Sequence, residues 1–506
     1  MSKVQPNPRV SVDRNLPTPS DLGVSESMDE ETDAYDVEFH YWQFFTAVAI
    51  HFLHLCGGPV CVPLIWAVFG RSLVSNMGII VLRLYIADFL SHMLVLMITL
   101  LFVFYPARTE DFRIVAIATL TAVCLRTTII CLKYGTLTKR WWKRLKEGIV
   151  PSGELVNTLI IFAWLRVPEE VATCELKNAF GRLPLPVSNL HLIFRAPLKP
   201  DTRARLWDLQ SKGTEGFFCP LDVDPEKYES AFFTARLLLE GAINQHDNFG
   251  KWFAYLAALV YSLAPHILRL YLLGPSTYHF DAAEIILTPI TLLCNGFMVW
   301  AMVSFIVVGI VDFQRKRWLM SQCSALISDF DRILLLENLP KVDLGEIRSI
   351  YGWYYTRRAF LDFGRRFSNR VHIYASAILP ILLCAVVFIL LQVIGVLSRA
   401  YNWELICPLF LSIAFDVVIV RMILEAVALN HSFEVHSDLL QEAASRLQTS
   451  EKAALEALQW TVRKLELDQE LRPVTIIGFT IDQNLVNKLL ALGLSGAFAL
   501  LKLLFT

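Results

Sequence analysis

The sequence lacks the cysteine pairs, glycine-rich loops and histidine boxes on which the common chemistries are built. Its ten cysteines (Cys56, Cys61, Cys124, Cys131, Cys174, Cys219, Cys294, Cys323, Cys384 and Cys407) sit mostly inside apolar segments, with no CxxC and no Cys/His cluster. That pattern indicates neither a disulfide framework nor a zinc site. His51 and His54 stand three apart but have no visible third ligand, so no metal is expected. HExxH, GxSxG, P-loop and dinucleotide fingerprints are missing, which argues against an enzyme and implies no cofactor. Charge is scarce as well. Charged residues make up 18% and the net charge is −1, where soluble domains are about a quarter charged. With no basic stripe to track a phosphate backbone, nucleic acid is not expected as a partner.

What the chain has is apolar length. It is 55% hydrophobic, with 33 Phe and 12 Trp, and a membrane-spanning helix needs about 20 mainly apolar residues. Eight segments meet that measure: 43–69, 79–105, 113–134, 252–274, 284–312, 372–397, 403–429 and 480–505. Residues 1–40 are polar and end in the acidic "SESMDEETDAYD", a composition that predicts a disordered tail. No apolar h-region follows a basic start there, so the first hydrophobic segment is expected to act as the insertion signal. The short run Leu155–Leu165 is half the length of a span and reads as an interfacial or buried helix.

Orientation follows from Lys and Arg near the ends of the spans. Basic clusters lie at Lys139–Lys146, Arg315–Arg317 and Arg357–Arg370, with Arg463, Lys464 and Arg472 forming a sparser one. The connections 275–283 and 398–402 contain only Arg399. An even number of spans, two or none, separates each consecutive pair of clusters, so all of the clusters fit the cytoplasmic side. Segment 43–69 contains "CGGPVCVP" and is either a true span or a re-entrant hairpin broken by its Gly and Pro residues.

The expected fold is an all-α polytopic membrane protein: a seven-helix core preceded by an extra N-terminal hydrophobic segment. The chain divides into an acidic tail (1–40), three hydrophobic segments (41–134), a long cytoplasmic loop (135–251) and two spans (252–313). A cytoplasmic helical segment (314–371), two more spans (372–429), a second cytoplasmic helical segment (430–475) and a final helix (476–506) follow. Apolar stripes run through the cytoplasmic segments, at Leu326, Phe330, Ile333 and Leu334, then Leu439, Leu440, Ala443 and Leu447, then Leu455, Leu458, Val462 and Leu465. They call for a cover, which four copies around an axis would supply. The loop 135–251 shows no period and receives no assignment.

Ionisable and polar residues inside spans are candidate site residues. Asp88 and His92 stand four apart on one helix face near mid-membrane. Tyr261, His266 and Arg269 fall in the outer half of segment 252–274, with Asn295 and Trp300 on the next span, the makings of a mostly apolar pocket with polar anchors. Arg83, Arg126 and Arg421 lie toward span ends, where snorkelling accounts for them. On the last segment Asn484, Asn487, Lys488, Ala491, Ser495 and Lys502 share a face. Such a stripe either packs closely against a neighbour or lines water.

The layout, with the C-terminal "IIGFTIDQNLVNKLLALGLSGAFALLKLLF" in which a short "GF" element leads into a last span, resembles the insect odorant and gustatory receptor superfamily, and most nearly its gustatory-receptor-like relatives in plants, algae and protists. Ala497-Phe498 and Leu504-Phe505 stand where gustatory receptors carry their terminal signature pairs. The resemblance implies a homotetrameric, ligand-gated ion channel in the plasma membrane. Its intracellular helices would form a central anchor, its last span would line the pore, and an unidentified small molecule would bind in the outer half. A secondary transporter and a non-transporting membrane scaffold are the alternatives.

Overall fold

In the computed structural model, the described residues are 39–49, 94–95, 97–106, 109–136, 169–211, 224–243, 248–279, 281–328, 339–363, 406–447 and 452–471, with single positions and short runs between 373 and 391 and between 474 and 498. The fold is mostly helical. In chain order its elements are α1 (Thr109–Gly135), α2 (Glu169–Gly181), β1 (His191–Ile193), α3 (Pro200–Ser211), β2 (Tyr228–Ser230) and α4 (Ala231–Ile243). There follow α5 (Asn248–Leu273), α6 (Ala282–Ile327), α7 (Ile347–Asp362), α8 (Ile406–Arg446), α9 (Lys452–Leu471), β3 (Thr475–Ile476) and β4 (Phe479–Thr480). Among the described residues, four stretches are long and apolar enough to cross a membrane: Thr109–Ile129, Ala231–Leu273, Ala282–Ile327 and Ile406–Arg446. They overlap the expected spans 113–134, 252–274, 284–312 and 403–429. The expected segments 43–69, 79–105, 372–397 and 480–505 fall largely outside the described residues, as do Leu155–Leu165 and Phe330, Ile333 and Leu334.

α5 shows what solvent the bundle is built for. Its buried residues are small or polar: Gly250, Ala254, Ala257, Ala258, Tyr261, Pro265, His266 and Arg269. Its exposed residues are large and apolar, with Leu256, Leu259, Leu263, Ile267 and Leu270 following helical steps of three and four. A helix in water has the opposite pattern; small residues inside and bulky ones outside suit lipid. Trp252 and Tyr271 stand 74% and 77% exposed near its two ends. At 1.5 Å per residue they are about 28 Å apart, close to the ~30 Å hydrocarbon thickness that aromatic belts bracket. The protein is membrane-embedded.

α5 and α6 form a hairpin whose turn begins at Gly274, the residue with φ of 80° that ends α5. Contacts set the directions of the neighbours. Tyr261 Oη donates to Ala118 O (2.7 Å) and Asn295 Nδ2 to Thr119 Oγ1 (3.1 Å), while Arg126 lies over the Phe297 ring. α1 therefore runs with α6 and against α5. Arg421 of α8 covers Phe249 at the basal end of α5, and Arg317 pairs with Glu425 at 2.7 Å, so α8 also runs with α6. Arg126 does not snorkel as expected: at 4% exposure it is buried against Phe297 in the interior.

The 46 residues of α6 make one helix, about 69 Å long and more than twice a bilayer core. Asp281 caps it, Oδ1 accepting from Glu284 N at 2.9 Å. No break separates the expected span from the expected helix beginning at 314; the same rod serves both. Residues Ala301 to Phe313 are all buried, although they lie at and beyond the level of Trp252. All but Ser304 and Asp312 are apolar or glycine, and protein, including α4, surrounds them there. α8 likewise continues through position 430 to Arg446.

Around these basal extensions the loop that showed no period folds into a small unit. β1 pairs antiparallel with β2, and on its other side Phe194 bridges Val342. α7 lies directly on β1: Ser349 Oγ accepts from Ile193 N (2.9 Å) and donates to Ile193 O (3.3 Å). One turn on, Gly352 meets the strand so closely that a Cβ there would stand 1.9 Å from His191 O. Leu458 and Leu465 of α9 and Leu440 of α8 are all fully buried. α7 and α8 of the same chain pack on α9 and cover these three, while Leu439, Ala443, Leu447, Leu455 and Val462 stay half-buried. α8 ends at Arg446 and α9 starts at Lys452.

His191 gives this unit a pH dependence. Tyr228 Oη lies 2.6 Å from its Nδ1, and burial, helped by the Arg348 charge, holds the imidazole below its usual pKa. The unfolded chain therefore takes up this proton first as pH falls. Its contribution to stability is complete above about pH 6.5 and is lost on acidification through that value. Melting temperatures between pH 7.5 and 5.5 are expected to fall more steeply for wild type than for His191→Gln. Parallel curves would remove His191 as a cause.

Candidate functional site

The α5–α6 interface carries a ladder of polar contacts. From the turn downward, Arg269 pairs with Glu284, His266 Nε2 meets Thr291 Oγ1 at 3.1 Å, and Ser262 Oγ donates to Leu292 O at 2.6 Å. Tyr255 then stacks on Trp300 with ring centroids 6.3 Å apart. Each pair steps backward along α5 and forward along α6, as an antiparallel register requires. Gly296 adds closeness, its α-carbon side facing Ser262.

The top rung is the most heavily built. Arg269 and Glu284 are 0% and 3% exposed at their side chains. Arg269 Nη2 also donates to Thr277 O at 2.5 Å, and its guanidinium lies between the rings of Phe112 (4.4 Å) and Tyr278 (4.1 Å). Glu284 Oε2 accepts from His279 N at 2.6 Å. One ion pair thereby joins α5, the turn, α6 and α1.

Of the residues expected to form an outer pocket, the structure brings Tyr261, His266, Arg269 and Asn295 together at the α1–α5–α6 junction and sets Trp300 lower, against Tyr255. All four junction residues are buried and engaged with neighbours. Besides Nε and Nη1 of Arg269, the atoms His266 Nδ1 and Asn295 Oδ1 are buried without a hydrogen-bond partner. These are the polar positions open to a ligand, while Arg269 is committed to Glu284. Asp88 and His92 lie outside the described residues. Glu284, Thr291 and Thr119 were not singled out from the sequence. Only Glu284 carried a legible signal, the Asp-x-x-Glu capping spacing that opens α6.

On the last segment Asn484, Asn487, Lys488, Ala491 and Ser495 are all exposed, while Val486 is buried at 1%; Lys502 lies outside the described residues. Asn430, which heads the only Asn-x-Ser/Thr sequence, holds the hairpin that leads into that segment. Its Nδ2 donates to Val474 O and Ile481 O, both at 3.1 Å, and its Oδ1 accepts from Val474 N at 2.9 Å. An amide engaged on both atoms is a structural clamp.

A second polar centre, absent from the sequence reading, lies at the basal end. Arg357 is fully buried, its Nε donating to His436 Nδ1 at 2.7 Å, and His436 Nε2 donates to Met320 O at 3.1 Å. Trp353 Nε1 donates to Cys323 O at 2.9 Å. This centre fastens α7 to both long rods. In the sequence Arg357 opens a basic cluster assigned to the cytoplasmic side, and His436 falls in the second cytoplasmic helical segment, 430–475.

Comparison with protein-family models, with curated proteins and with solved structures finds no match for this chain.

Proposed function

We propose that the protein is a chemoreceptor-like, ligand-gated channel subunit of the plasma membrane, assembled as a homotetramer around its last helix. The observation that carries this reading is the exposed stripe. Asn484, Asn487, Lys488, Ala491 and Ser495 stay uncovered on a helix whose other side buries Val486. A lysine such as Lys488 beside lipid is costly; water in a pore, or a second subunit, removes that cost.

Chain direction supports the span count. α7 packs at the basal end of α6 and α8 runs the same way as α6, which is in keeping with the span expected from the sequence at 372–397. The remaining spans of a seven-helix core are the sequence-derived ones. α6 supplies coupling: one rod bears Glu284, Thr291 and Asn295 near the turn and Met320 and Cys323 at the base. A small, largely apolar ligand with one hydrogen-bonding group would suit His266 Nδ1 and Asn295 Oδ1.

The test is a set of single cysteines at 487, 491 and 495 in protein held in bilayers, with current and complex mass recorded in parallel. Reaction with aqueous thiol reagents, current that the reaction blocks and a four-chain mass are expected. Lys488→Gln should shift the reversal potential toward cation selectivity, since rings of positive charge favour anions. A monomer without current whose cysteines never react would leave a packed scaffold. Substrate-coupled uptake without channel current would indicate a transporter.

A further inference from the structure

Among the described residues, the basal centre contains a cation with no ion-pair partner. Arg357 is 0% exposed, and its Nη1 and Nη2 have no hydrogen-bond partner. Its Nε is spent on His436 and one face of its guanidinium is covered by Phe433 at 4.3 Å. His436 cannot neutralise it. Nδ1 accepts from Arg357 and Nε2 donates to a carbonyl, the arrangement of a neutral imidazole. Asp468 is the carboxylate that couples to the site, but it makes no ion pair with Arg357, and its Oδ2 accepts from Tyr354 Oη at 3.0 Å. A buried guanidinium pointing four N–H bonds at no acceptor is strongly unfavourable.

We propose that Arg357 holds a small monovalent anion of the halide class through its Nη1 and Nη2, enclosed between α6, α7, α8 and α9. Charge and size select the occupant. Burial pulls Arg357 down to about 10, which leaves it charged at neutral pH. A single negative charge balances it, whereas a dianion would face Asp468 as well. The complete burial of Arg357, with Phe433 over its guanidinium, disfavours a bulky organic anion. Because α6 and α8 both continue into the membrane, the bound ion would pin the two rods to α7, and its loss would loosen the basal end first.

The probe is chloride itself, on the full-length protein in detergent. Thermal unfolding is followed as chloride replaces gluconate at constant ionic strength. Wild type is expected to gain roughly 5 °C in a saturable manner, as ligand linkage requires. Arg357→Met, which removes the charge and keeps an apolar stem, should show no chloride response. Bromide-soaked wild-type crystals should give an anomalous peak beside Nη1 and Nη2, and this measurement stands even where the variant does not fold. No chloride dependence in wild type, a dependence that survives in Arg357→Met, or no bromide peak at Arg357 would each overturn the proposal.

Discussion

Glu284→Leu is expected to destabilise the protein by about 3–5 kcal/mol, the range for leaving one partner of a buried pair uncompensated. The variant retains Arg269, 0% exposed and held between Phe112 and Tyr278, with a positive charge and no carboxylate to receive it. It also strands His279 N, which donates to Glu284 Oε2. Arg269→Met should be nearly as damaging, because Glu284 then keeps its charge beside apolar rings. Arg269→Met with Glu284→Leu should recover most of the loss, since an apolar pair of similar volume removes both desolvation costs together. Thermal unfolding in detergent for the two single variants and the double one reads this directly. Additive losses in the double variant would show that the two residues act separately and that the top rung is not a coupled pair.

Gly352→Ala is expected to cost about 3 kcal/mol, the upper end for overpacking a tight core. The obstacle is backbone. The added methyl would stand 1.9 Å from His191 O and 2.8 Å from the carbonyl carbon, and neither can rotate away as a side chain would. Either β1 leaves its bonds to Ser349 or α7 rolls and disturbs Trp353 and Arg357 behind it. Gly181→Ala is the control. A Cβ there meets nothing within 4 Å, so a change within about 0.5 kcal/mol is expected. Purified yield and melting temperature of the two variants should differ sharply. Equal behaviour would mean that α7 sits farther from β1 than the fold requires.

The two residues also show how far a sequence can be read. The membrane character was legible because it depends on composition and run length, which the chain displays openly in 252–274, 284–312 and 403–429. The end of a crossing was not. Residues 305–311 are as apolar as lipid-facing ones, and only the protein packed around them distinguishes a buried rod from a spanning one. α4 escaped notice for a related reason: ten of its residues are buried, so no polar face gives it a period. The site followed the same division. Tyr261, His266, Arg269 and Asn295 were visible as polar residues on apolar segments, and they do converge. Their partners Thr119, Thr277 and Thr291 look ordinary in sequence and gain meaning only from the register of the hairpin. Arg357 and His436 lie 79 positions apart, and no local pattern announces that the fold brings them into contact.

Pro265 and Pro289 lie within α5 and α6, and the hairpin register places them across from one another. Neither has an N–H, so each helix gives up a backbone bond at the same height, to the carbonyls of Tyr261 and Ile285. Two weak points side by side form a crease. Above it stand Gly274, the turn and the Arg269–Glu284 pair, tied into one stiff flap; below it the Ser262 bond and the Tyr255–Trp300 stack hold the helices parallel. A push on the flap from the aqueous side would therefore tilt it as a unit, and the unused faces of His266 and Asn295, placed at and just below the fold line, are where that tilt would first open space.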